Sequence, residues 1–529
     1  MSLPDQAQEA EVQRIQLLGS KIAKQCTKGG NLRESGAVVG GCWLRAMLLA
    51  LVTIAVGSAP SRAADRGLPS SRITADHKQQ YADLAVAWMQ QYLRIDTTNP
   101  PGNEMKAVEF YQKIFDREGI ENRAFEIAPG RGDLWARIPA NSEKSPPGSQ
   151  KPGDAGHPRP IILLNHMDVV TSDASHWRVP PFRGEIKDGW IWGRGAQDMK
   201  DEGLAQLVVM VMLKRERVAL DRDVIFLAVA DEEADGMGTD WFIQNQRDLL
   251  ENAEFLINEG GENLFSDGKV KYVGVDVGEK TTYWLHVVAH GRPGHGSRPN
   301  ADSAPNRLVR ALDRIIHHQT PLRVLPVVEE FLKDMAPYQP PERAAYYRDV
   351  RRAILDKKFQ DEVEQDESLN FLLRDTISLT MMGGSGQTNV IPPEAWANLD
   401  VRILPGGDPN AVAEALRKVV NDPNVTIEPL NAEFRIANYS GTNNALYAAI
   451  REVSGKYFPG TPVVPHITSG YTENQRYRPL GIAAYGFNPY TATEEEGNTE
   501  HGNDERIRVD EVRRGPGILF DVVAQVASH

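Results

Sequence analysis

Only two cysteines occur in the 529 residues, Cys26 and Cys42, and both lie near the start of the chain. Everything after them lacks disulfides and thiolate metal ligands, so any metal bound there must sit on imidazole and carboxylate. A basic excess is also missing. The net charge of -13 and a pI near 5.5 argue against nucleic acid or an anionic membrane as partner, since both demand a basic face. Long hydrophobic runs are absent too: the most apolar stretch, Ala46 to Val56, is far short of the roughly 20 residues a membrane helix needs. No internal repeat marks a solenoid or propeller.

That stretch has another meaning. It follows Arg45 and leads into SAPSRAAD, where small residues before Ala64 resemble a signal-peptidase site. Residues 1–64 are therefore expected to be a leader that sends the protein to a periplasm or the cell exterior. The polar segment ahead of Arg45 is longer than an ordinary n-region and points to a translation start nearer that arginine. Cys42 precedes the apolar run, which excludes a lipobox. The alternative is a cytoplasmic protein whose short apolar helix belongs to a core.

Beyond residue 65 the length predicts more than one core. Helical spacing over Asp76 to Leu93 is broken by RIDTTNPPGNE and resumes from Met105 to Glu118. The strand-like runs DLWARIPA, IILLN, VIFLAVA and EFLIN alternate with helical patterns at Glu202 to Arg215 and Thr239 to Leu250, the signature of a sheet with crossover helices. NSEKSPPGSQKPGDAGHPRP reads as a solvated loop or hairpin tip. After Glu279 the texture becomes that of two helices on an antiparallel sheet, built from TYWLHVVAH, DTISLTMM, AWANLDVRI and VTIEPL. The charged, helical stretch at 321–370 is surplus to that pattern and reads as an insertion that covers a cleft or alters a dimer surface. Alternation of strand and helix returns near Ser440, with a helix at Asn443 to Tyr457, the strand IAAYGF and a last helix from Asp510 to Ala527. The expected division is 65–280 and 436–529 as one catalytic domain, interrupted by a second domain at 281–435.

The chemistry-bearing residues fall in short polar segments, most of them just after strands, where open α/β sheets place their sites. In NHMDVV, His166 offers a ring nitrogen and Asp168 an acceptor for the other one. Taken alone, the pair is as well explained by a loop histidine bonded to a nearby aspartate. In GRGAQDMKD, Asp198 can bridge two metals through its two oxygens, while Asp201 reads as a helix cap. The run DEE at 231–233 is sharper, because adjacent carboxylates repel unless a cation or proton intervenes. There Glu233 can bind metal while Glu232 moves protons. LINEGG adds Glu259 and TEHGND adds His501. Together these segments hold two histidines, three ligand carboxylates and one spare carboxylate, the inventory of a two-metal hydrolytic site.

In this order the motifs resemble the dizinc exopeptidase and amidohydrolase family of aminoacylase, glutamate carboxypeptidase, carnosinase and succinyl-diaminopimelate desuccinylase, over nearly everything from Asp76 onward. The resemblance implies an α/β fold, a mixed-sheet dizinc peptidase domain with helices on both faces, interrupted by an inserted α+β lid or dimerisation domain. It implies two Zn2+ per chain, one on His166, Asp198 and Glu259 and one on Asp198, Glu233 and His501, with Co2+ or Mn2+ also suited to such ligands. Glu232 becomes the general base and Asp168 the orienter of His166, and the peptide bond after Asp198 is a candidate for the cis form.

In GRPGHGSRP, His295 is implied to stabilise the oxyanion, reaching the partner's site in dimeric relatives. Asn389 and Arg402, in TNVIPPEAWANLDVRILPG, are implied to fix a free substrate carboxylate. One departure stands out: relatives carry Thr-Asp-x-Arg before the Gly-Ile strand, whereas here TENQ places Gln475 at the arginine position, with Arg476 and Arg478 nearby. The expected activity is hydrolysis of a peptide or N-acyl amide bond beside a free carboxylate. An N-acyl amino acid deacylase is the alternative, and a non-catalytic binding protein on the same fold a remote one. A small substrate, no nucleic acid, no membrane span and a homodimer through the inserted domain complete the expectations.

Overall fold

The computed structural model describes residues 67–141, 158–250, 252–430, 435–468 and 470–528. The leader reading, both cysteines and most of the polar loop after Ala140 lie outside them. Helix α1 (Ala75–Leu93) starts where the Thr74 side chain accepts the His77 N–H, and it buries Tyr81, Ala85, Trp88, Met89 and Tyr92 along one face. Helix α2 (Met105–Glu118) ends at Gly119, whose φ of 63° needs the left-handed region. Strands β1 (Glu121–Ala128) and β2 (Arg131–Ile138) form an antiparallel hairpin. Then come β3 (Ile161–His166), α3 (Lys200–Arg215), β4 (Val224–Val229), α4 (Met237–Asn245), β5 (Phe255–Asn258) and β6 (Val273–Glu279). Every residue of β3, β4 and β5 is buried, as expected of parallel strands covered on both faces.

One residue past β6 a second sheet begins with β7 (Thr281–His290). It continues through the short ribbon strand β8 (Gly294–His295), α5 (Ala304–Ile316), five helices within residues 326–373 numbered α6 to α10, β9 (Thr376–Gly383), β10 (Val390–Ile391), β11 (Glu394–Ile403), α11 (Pro409–Val420) and β12 (Val425–Pro429). Here the pattern changes: β7 and β11 alternate buried and more open residues, so this sheet packs on one face only. Helix α12 (Ala445–Tyr457), β13 (Val463–Thr468), β14 (Ala483–Gly486) and α13 (Val509–Ala527) return the chain to the first sheet.

The larger sheet has eight strands in the order β1-β2-β4-β3-β5-β14-β6-β13, mixed in direction, with β14 inserted between β5 and β6. One face packs on α1, α2, α3, α12 and α13, and the other carries a cluster including Trp135, Ile162, Leu227, Phe242, Leu256 and Tyr477. The smaller sheet, β9-β11-β7-β12, has its own core with α5 and α11. Both sheets lie in one compact unit, Leu68–His529.

The helices of 326–373 pack differently from what their place in the chain suggests. Val327, Val328, Leu332, Val350, Phe359 and Leu373 join the core of the larger sheet rather than that of the smaller one. Helix α6 (Pro326–Met335) lies along the edge strand β13, with Phe331 against the His466 ring and Glu330 accepting from Thr442. An edge strand with open N–H and C=O groups needs such a cover.

Candidate metal centre

Strands β3, β4 and β5 run parallel and end at the same edge of the sheet, with His166 opposite Val229. That edge therefore collects His166 from β3, the 231–233 turn after β4 and Glu259 just after β5. Two more segments arrive from far away in sequence, the loop before α3 with Asp198 and the loop before α13 with His501. A buried ion pair joins them. Arg194 Nη1 donates to Glu505 Oε2 at 2.7 Å, and Glu505 also accepts the N–H groups of Gly195 and Gln197. Arg194 Nη2 meanwhile donates to the Gly502 carbonyl at 2.8 Å.

Asp198 is the hub. His166 Nε2 lies 3.1 Å from its Oδ1 and 3.2 Å from Glu259 Oε2, while His501 Nε2 lies 2.6 Å from its Oδ2 and 3.3 Å from Glu233 Oε2. The ligand atoms of His166, Asp198 and Glu233 lie within 4.8 Å of one another, as do those of His166, Glu232 and Glu259. The bond between Asp198 and Met199 is cis.

Asp168 supports this arrangement in two ways. Its backbone carbonyl, at 3.1 Å, is nearer to His166 Nδ1 than its carboxylate, at 3.6 Å. With Nδ1 held there, Nε2 is the ring nitrogen left to face the carboxylates. The Asp168 carboxylate accepts the backbone N–H groups of Glu232 and Glu233 and an Asn99 N–H at 2.8 Å, and so holds the acidic turn in place. Asn99 also donates to Asp231, which Arg131 ties to Glu104. The segment RIDTTNPPGNE, legible only as a helix breaker, thus supplies a support of the site. Asp201 is no cap: α3 follows Met199 without a side-chain cap bond, and Asp201 is buried in the first turn.

Four carboxylates, Asp198, Glu232, Glu233 and Glu259, face two imidazoles. Burial opposes charge on His166, yet Glu259, Asp168 and Asp198 hold its pKa well above the usual value. Hydrogen bonds to Asp198 and Glu233 push His501 up to about 10. Burial pushes Glu259 up to about 7 and, with the Glu259 charge beside it, Glu232 well above the ordinary range. Asp198 stays below that range despite burial, because both imidazoles bond to it. Glu233 Oε1 and Glu259 Oε1 are buried without a hydrogen-bond partner. Buried carboxylate oxygens without donors call for positive charge, and this oxygen and nitrogen set fits a pair of divalent ions.

The cluster opens into a cleft of about 960 Å³, whose lining also includes Arg402, Arg435, Arg476, Tyr471, Gln475 and Trp284. Arg402 is anchored to Asp400 at 2.8 Å and to Thr282 at 2.9 Å. Arg476 donates to Asp240 and to the Asp235 carbonyl. Arg478 is elsewhere, in a buried pair with Glu279 at 2.8 Å. Of the two arginines near Gln475, the cleft therefore receives only Arg476. Glu202 and Glu500 also line it, and their one visible signal was proximity to Asp198 and His501. No residue of 321–370 does. His295 and Asn389 are not brought to this cleft. His295 sits on the exposed ribbon β8–β10, its Nδ1 2.8 Å from Ser297 Oγ.

The sequence profile of the peptidase family M20/M25/M40 matches residues 162–525. The human N-fatty-acyl-amino acid synthase/hydrolase is 27% identical over 374 residues, 69% of this chain and 74% of that protein. Human aminoacylase-1 is 26% identical over 450 residues, 84% of this chain and 95% of that one. Among solved structures, an M20 family metallo-carboxypeptidase from Sulfolobus solfataricus superposes with a TM-score of 0.61 at 18% identity, covering 84% of this chain and 99% of its own.

Proposed function

The chain belongs to the peptidase family M20/M25/M40 and is a hydrolase of the metallopeptidase and amidohydrolase kind, and from that premise we propose that it cleaves a peptide or N-acyl amide bond beside a free carboxylate. The observation that carries this reading is the opposition within one cleft of a carboxylate cluster and three arginines, Arg402, Arg435 and Arg476. In our reading His166, Asp198 and Glu259 hold one zinc ion and Asp198, Glu233 and His501 the other. When bound, the ions supply Lewis-acid polarisation of the scissile carbonyl and make water a nucleophile near neutral pH.

Glu232 lines the cleft, and its backbone is fixed by Asp168. Positioned so, it takes the proton of the attacking water and passes it to the leaving nitrogen. Arg402 meets the substrate carboxylate, since a guanidinium fork matches that ion. His295 and Asn389 act from a second copy of the chain, because neither lines its own cleft. The smaller sheet leaves Leu379, Met381 and Met382 exposed on its edge strand β9, a surface suited to pairing with that copy. In our reading the parts of 281–435 built on the smaller sheet serve as the lid and dimerisation domain of a catalytic domain made of 65–280 and 436–529, which the helices of 326–373 join. The run Ala46 to Val56 with SAPSRAAD supports export; among the described residues no helix is long and apolar enough to cross a membrane.

An N-acyl amino acid deacylase is the second reading, favoured by the kinship with aminoacylase-1 and the N-fatty-acyl-amino acid synthase/hydrolase. Turnover of the zinc-reconstituted protein on dipeptides and N-acyl amino acids, each with a free and an amidated carboxyl end, tests the proposal. Hydrolysis confined to the free acids is expected. Equal hydrolysis of the amidated series would remove the carboxylate requirement.

A further inference from the structure

Beside the metal cleft lies a second compartment of about 570 Å³, which shares Gln197, Gly260, Gly261, Thr468, Asn488 and Glu500 with it. None of the three cleft arginines lines this space. Its own walls bring Asp201, Glu262, Asn263, Asp276, Glu494 and Glu496 together. The basic groups among its walls are already engaged: Arg508 with Glu496 at 3.2 Å, Arg506 with the Asp504 carbonyl and two tryptophan rings, and His466 with Asp276 at 2.7 Å. Among the described residues no basic side chain pairs with Asp201, Glu262, Glu494 or Glu500.

Two buried acceptors in the walls have no donor. Asn263 is 5% exposed, and its amide orientation is fixed because Nδ2 donates to the carbonyls of Asn488 and Tyr490. Its Oδ1 is left without a partner. Asp201, 1% exposed, likewise has an unpartnered Oδ1. Buried acceptors without donors cost free energy until a donor arrives, and carboxylates around them favour a donor that carries positive charge.

The compartment adjoins the cleft on walls that include none of the three cleft arginines. The two spaces share Gln197, Gly260 and Glu500, the chain neighbours of Asp198, Glu259 and His501, so a substrate whose carboxylate meets those arginines can extend its acyl half past the metal cluster into the compartment. We propose that the compartment receives an ammonium group carried by that acyl half, so that the enzyme prefers aminoacyl amides, dipeptides above all, to N-acyl amino acids with an uncharged acyl chain. The inference rests on the peptidase reading above and chooses between its two substrate classes.

The test uses the full-length, zinc-loaded enzyme and substrate pairs that share one leaving amino acid and differ only in an ammonium on the acyl chain. Amino-terminated chains of increasing length are each set against their des-amino counterparts. For the best-fitting length kcat/KM should favour the ammonium by roughly tenfold or more, as expected for one charge-assisted hydrogen bond. In a Glu262→Gln/Glu494→Gln variant, and separately in Asn263→Leu, that ratio should fall toward one. Both substrates are read on the same enzyme, so partial misfolding lowers both rates and leaves the ratio intact. A ratio near one in the unsubstituted enzyme at every length overturns the proposal while leaving the peptidase reading standing. So does a ratio that survives both variants. Des-amino turnover that rises with added Na+ or Ca2+, with a ratio near one, would assign the compartment to an inorganic cation and also overturn it. If no member of either series is cleaved, the peptidase reading fails and this inference falls with it.

Discussion

His166 and His295 stand in opposite settings. His166 is 1% exposed at the end of a buried strand, with Asp168 behind it and two carboxylates in front. His295 lies in the open on a two-stranded ribbon, where Ser297 is its side-chain neighbour. The difference teaches how each region obtains its geometry. Residues at the strand ends are fixed by their own chain through Asp168, Asn99 and the Arg194–Glu505 pair. The ribbon residues have no such scaffold, and in our proposal a second copy of the chain orders them. The candidate metal ligands come together within one copy, whereas in our proposal the oxyanion contact needs two.

Glu232→Gln attacks the self-sufficient region and should have the largest effect. Turnover should fall by about a thousandfold or more, while metal content measured by plasma emission stays at the unsubstituted level; substantial residual turnover would remove the general-base role. His295→Ala attacks the other region and should lower kcat by roughly a hundredfold to a thousandfold. The comparison is sharpest when Glu232→Gln and His295→Ala protomers are unfolded, mixed and refolded. Mixed dimers place one intact base opposite one intact histidine and should recover activity, and a mixture as inactive as its parents would show that the ribbon does not act across copies. Arg402→Ala comes next, with an expected loss of about ten- to a hundredfold on free-carboxylate substrates. If the amidated counterparts lose as much, Arg402 is not the carboxylate clamp.

The smallest effect concerns the junction between the two sheets. Lys280 is buried over the Phe371 ring at 3.9 Å and donates to the Arg374 carbonyl, and burial lowers its pKa from 10.5 to about 7. Between those values the unfolded chain keeps a proton that the native chain has released, so stability rises with pH across that interval. Below it both states are charged, and the native protein carries the full burden of the buried cation. Lys280→Met should therefore stabilise most at about pH 6 and progressively less toward pH 10. A melting-temperature difference from the unsubstituted protein that does not vary with pH would refute this account.

The continuous apolar runs IILLN, VIFLAVA and EFLIN announced the buried parallel strands, and the polar residues ending them announced the cluster. The alternation in β7 and β11 likewise separated the smaller sheet from the larger. Other features were silent because they arise only in three dimensions. The position of β14 between β5 and β6 depends on pairing across more than two hundred residues, which no local pattern records. The segment 121–128 is half exposed, so its strand character was faint. The docking of 326–373 on the larger core was hidden because amphipathic helices do not state which sheet they face. Asn99 and Arg131 act through hydrogen bonds to Asp168 and Asp231, and proximity of that kind has no signature in sequence spacing.

The place of β14 also bears on how the protein is made. Synthesis from the N-terminus delivers β5 and β6 long before residues 483–486 exist, so the larger sheet waits with a gap in its middle. The smaller sheet, whose strands all lie between residues 281 and 429, can close during that interval. His501 follows β14 in the chain, so a chain cut short before it would keep His166, Asp198, Glu233 and Glu259 but lack the second imidazole of the cluster.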